Sequence, residues 1–97
     1  MRMMMRVTIP VEQGNKAVKD GTIPKLIQSL LQDLAPEAAY FGPVDGVRNA
    51  FIVFDLKDVS DLPRIGEPLF LNLNARVEFT PIMNAEDLKA GLSKMPR

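Results

Sequence analysis

Residues 49–55, Asn-Ala-Phe-Ile-Val-Phe-Asp, are apolar on both phases of an extended chain, with Phe51 and Val53 on one side and Ala50, Ile52 and Phe54 on the other. A strand that alternates polar and apolar residues can lie at a wet surface, whereas one that is apolar on both sides belongs in the middle of a sheet covered twice. A chain of 97 residues has room for one such sheet and one core, so a single domain spanning 1–97 is expected. Such a domain buries only about two thirds of its unfolded surface. A second copy covering the other face would add stability. The expected assembly is therefore a symmetric homodimer through that face, which Ile52→Lys is expected to break.

The flanking elements follow from spacing. Met3, Met5, Val7 and Ile9 share one phase of a first strand, Met4, Arg6 and Thr8 the other, and Pro10 ends it. Ala17, Val18, Ile23, Leu26, Ile27, Leu30, Leu31 and Leu34 recur at helical spacing. Gly21 and Pro24 interrupt them, which predicts a turn or two of helix, a kink, and a main helix started by Thr22 and stopped by Pro36. "EAAYF" reads as a short strand, and Asp45-Gly46 as the reversal into the apolar strand.

The stretch from Gly66 to Phe79 fits either one long strand or a helix followed by a strand. Leu62, Ile65, Gly66, Leu69, Phe70 and Leu73 form a helical stripe, and topology favours that reading. A helix over Ser60–Asn74, with Ser60 as cap and Asn74 in a left-handed end, completes a β-α-β-β-α-β order. Leu69 and Leu73 should then be buried and Asn72 exposed. Asn84, followed by Glu86 and Asp87, starts a short C-terminal helix. The expected fold class is α+β, a ferredoxin-like split βαβ repeat with both crossover helices on one sheet face.

Composition removes whole classes of chemistry. With neither cysteine nor histidine there are no disulfides, no thiolate nucleophile and no sulfur or imidazole metal ligand. Asp55, Asp58 and Asp61 lack the glycine and closing glutamate of a calcium loop, so no metal and no cofactor are expected. The 12 basic and 12 acidic residues are interspersed, which argues against a nucleic-acid partner. The apolar patch in Met1–Val7 is too short for a secretory segment, and the expectation is a cytoplasmic protein without a membrane span.

"VEQGNKAVKDGTIPKLI", "PEAAYF", "RNAFIVFDL" and "FTPIMNAEDL" resemble a family of small bacterial proteins within the dimeric α+β barrel group of ferredoxin-like folds. Some members carry the name pantothenate synthetase, but this chain has no histidine-containing nucleotide motif and is short for an ATP-using ligase. The resemblance implies that the sheet is four-stranded and antiparallel, that the first and third strands are central and that a partner's sheet covers the helix-free face. The group includes monooxygenases, muconolactone-type isomerases and plain binding domains, and no catalytic residue carries over.

Six residues stand out as ligand-binding candidates. Arg6, Arg76 and Glu78 fall on one face of neighbouring strands, where they make either a cross-strand ionic set at a dimer interface or a forked carboxylate site. Tyr40, the single tyrosine, is either a packing residue or a phenolic donor. Glu67 beside Pro68 is either a solvated helix residue paired with Arg64 or a partly buried base, and Asn72 offers a free amide. The reading is a homodimeric binding or interaction domain for a small apolar or carboxylate-bearing molecule. The alternative is a small cofactor-independent enzyme of the monooxygenase or isomerase type.

Overall fold

In the computed structural model, which describes residues 1–96, the chain runs β1 (Arg2–Ile9), α1 (Val11–Lys19), α2 (Thr22–Leu34), β2 (Ala38–Val44), β3 (Val47–Asp55), α3 (Leu62–Leu73), β4 (Arg76–Pro81) and α4 (Ala85–Ser93). The four strands form one sheet in the order β2-β3-β1-β4, with every neighbouring pair antiparallel. This is the ferredoxin-like arrangement, with β1 and β3 central. Among the described residues, no helix is long and apolar enough to cross a membrane.

Strand alternation separates the two faces. Met3, Met5, Val7 and Ile9 of β1 and Ala50, Ile52 and Phe54 of β3 are buried beneath the helices. Leu30 of α2 and Ile65, Leu69 and Leu73 of α3 close over them. Phe54 meets Phe79 edge-on, with ring centroids 6.5 Å apart. Each fully buried side chain of this size contributes roughly 1.5–3 kcal/mol. Ile52, with no accessible surface, belongs to this core. The expectation that a lysine there would act on a dimer interface is therefore corrected: it would put an ammonium among the helices. The opposite face of β3 carries Phe51 and Val53, which are only half-buried.

Two local features differ from expectation. α1 and α2 are separate helices rather than one kinked helix, because Gly21 adopts φ 81°, a left-handed geometry that suits a residue without a side chain. α2 begins at Thr22 as expected, and the Thr22 amide donates to Asp20 Oδ1 at 2.9 Å. Ser60 does not cap α3. A single 3₁₀ turn over Val59–Asp61 precedes that helix, and Asp58 Oδ1 accepts from the Ser60 amide at 2.8 Å and its hydroxyl at 2.6 Å. The far ends are as expected: Asn74 is left-handed at φ 50°, and Asn84 and Asp87 form a reciprocal capping box at the start of α4.

Candidate functional site

The helix-free face of the sheet is built by the even positions of β1 and β4 and the odd positions of β3. Arg6 lies between Phe51 on β3 and Glu78 on β4, and Thr8 between Asn49 and Arg76. The Arg6 guanidinium carbon sits 5.6 Å from the Phe51 ring centroid, and its Nε donates to Asn49 Oδ1 at 3.0 Å. The Thr8 hydroxyl donates to the same oxygen at 2.8 Å, while Asn49 Nδ2 donates to the Val47 carbonyl at 2.9 Å. Asn49 is thus a buried amide with each polar atom satisfied, and it holds Arg6 flat against Phe51.

Arg76 behaves differently. Its Nε is 3.8 Å from Glu78 Oε1, and its side chain is 71% exposed. The two arginines share a face but point to separate partners, so no fork is formed. Tyr40, opposite Phe51 in the register, lies on this same face and is 70% exposed. Glu67 is exposed on α3. The expected pairing of Arg64 with Glu67 is replaced by ion pairs of Arg64 to Asp33 and Asp61. Asn72 is exposed, and its Nδ2 donates to the Pro68 carbonyl at 2.8 Å, one turn back, which takes up the amide expected to be free.

A cavity lies on the other side of the sheet and is lined by none of these six residues. It has a volume of about 620 Å³ and opens between α1, α2 and the β2–β3 hairpin. Its origin is local. α1 approaches the sheet through Gly14 and Ala17, its only buried residues, so the helix lies close but fills little of the space beside it. Asp45 and Gly46, with φ 53° and 74°, form the tight reversal that carries β2 into β3 at its rim. The walls are apolar: Ile9, Val11, Val18, Ile23, Ile27 and Phe41. Val11, Val18 and Phe41 are each about half exposed, at 47%, 49% and 54%.

Arg48 is the one charged residue lining this space. Its Nη1 donates to Asn15 Oδ1 at 3.1 Å, and among the described residues no carboxylate forms an ion pair with it. Arg48 is not among the six candidates, although the sequence carries a signal for it. Arg48 shares the phase of Ala50, Ile52 and Phe54, and a charge on the core-facing phase of a buried strand needs a reason. Among the described residues there is no group of three or more carboxylates that could hold a metal ion. Compared with known proteins, the chain matches no family model and no curated protein.

Proposed function

We propose that this chain is a cytoplasmic, homodimeric small-ligand-binding domain of the dimeric α+β barrel kind, and that its ligand lies in the cavity between α1, α2 and the β2–β3 hairpin. The observation that carries this reading is the cavity itself: about 620 Å³ walled by aliphatic and aromatic side chains, with Asn15, Arg48 and Asn49 as its polar side chains. That combination of apolar walls and a few placed polar groups suits a small organic molecule. The helix-free face, with Phe51, Val53 and Met4 half-buried and Tyr40 exposed, supplies the dimer surface. An enzyme would need a proton donor or acceptor beside the bound molecule, and the lining residues include no carboxylate, lysine or tyrosine.

Thermal shifts against a panel of small apolar molecules test the assignment, with wild type compared to Val18→Trp, which places a large ring in the cavity from an exposed helical position. Molecules that stabilise wild type should lose their effect in the variant. Equal shifts in both proteins would move the ligand to another surface.

A further inference from the structure

We propose that the ligand is an amphiphilic monoanion, an aliphatic or aromatic monocarboxylate, whose charged end is held by Arg48. This rests on the cavity being the ligand site and names the class of molecule it takes. A guanidinium half-buried among apolar walls, with one neutral side chain as its hydrogen-bond partner, is stabilised by an anion that approaches it. Asn15 Oδ1 is used by Arg48, which leaves its Nδ2 as a second donor for a carboxylate oxygen. The rest of the lining offers no second cation, so a dianion would set its other charge against Val11, Val18 or Phe41. A single carboxylate on an apolar body matches this distribution.

The seat of Arg48 is built into the helix. A Cβ on Gly14 would stand 2.7 Å from Arg48 Nη1 and 3.2 Å from Ile9 Cγ2. Only a glycine at this turn of α1 lets the guanidinium lie across the helix and reach Asn15. The end of a flexible side chain can give way, so Gly14→Ala should displace Arg48 while keeping the fold, and alanine favours helix over glycine.

Calorimetric titration with decanoate and its neutral counterpart decanamide, and with 1-naphthoate and 1-naphthamide, tests the assignment in wild type, Arg48→Gln and Gly14→Ala. Wild type should bind one of the acids about tenfold or more tightly than its amide. Arg48→Gln should bind both members of that pair at the level of the amide, and Gly14→Ala should lose most of the preference with an unchanged far-ultraviolet circular dichroism spectrum. Amide and acid bound equally by wild type, or a preference kept by Arg48→Gln, would overturn the anion clamp while leaving the cavity as a ligand site. No binding of any of the four to wild type would overturn the cavity reading together with the clamp.

Discussion

Among the described residues Asn49 is the one buried polar residue, and its carboxamide joins Arg6 and Thr8 on the helix-free face. Replacing it with alanine leaves Arg6 Nε and the Thr8 hydroxyl without their shared acceptor. Leaving such donors unmade costs about 1–3 kcal/mol, read as a lower urea midpoint with an unchanged slope. Thr8→Ala should cost less, since it removes one donor and keeps the acceptor. At this scale the sequence is legible where side chains follow the alternation and misleading where they are polar. Arg6, Arg76 and Glu78 lie on one face, as their even positions require, yet pairing depends on reach and register: Glu78 stands opposite Arg6 but meets Arg76. The signal for Arg48 and Asn49 is equally plain, a charge and an amide side by side ahead of a run, Ala50 to Phe54, that is apolar on both phases. Its meaning needed the neighbouring helix, because Gly14 makes the room for Arg48 from 34 positions away in the chain.

Helices and turns are specified mainly by their ends. Asn74 holds a left-handed conformation at φ 50°, which costs most residues roughly 1–2 kcal/mol. Asn74→Ala should therefore lower stability by about 1 kcal/mol and Asn74→Gly should be neutral or stabilising, measured by urea denaturation. The Thr22 hydroxyl and amide hold the Asp20 carboxyl below the usual carboxylate range, and the Ser60 hydroxyl and amide do the same for Asp58. A carboxylate with a depressed folded value contributes stability above its unfolded value and loses it as the pH falls through the folded one. Stability should thus hold down to about pH 5 and decline below about pH 4. Both groups are exposed, so the effect is small and screened by salt. An Asp20→Asn, Asp58→Asn double variant should decline less steeply in acid than wild type; parallel curves would contradict the assignment. The order of elements was readable because hydrophobic spacing changes at Pro10, Pro36 and Asn74. The α1–α2 break is signalled by Gly21 ahead of Thr22, whereas the 3₁₀ turn is not signalled, since it arises from the Asp58 side chain bonding two residues ahead, which spacing does not register.

At the scale of the whole molecule the two sheet faces have different tasks. The helix-covered face is the core, and the other face carries the half-buried apolar residues Met4, Phe51 and Val53. For the proposed homodimer, light scattering at micromolar concentration should return twice 10.8 kDa for wild type and the monomer mass for a folded Val53→Lys, whereas Ile52→Lys should unfold the chain. α4 has no buried residue and joins the body through Asp87, whose Oδ2 accepts from Arg2 at 3.2 Å. The proposed ligand site lies between α1, α2 and the hairpin rather than on the sheet face that carries Arg6 and Arg76. Backbone amide shifts of labelled protein titrated with decanoate distinguish the two most directly. Changes should concentrate at residues 11–18, 41–46 and 48; changes concentrated at residues 6, 8 and 76–80 would place the ligand on the sheet face instead.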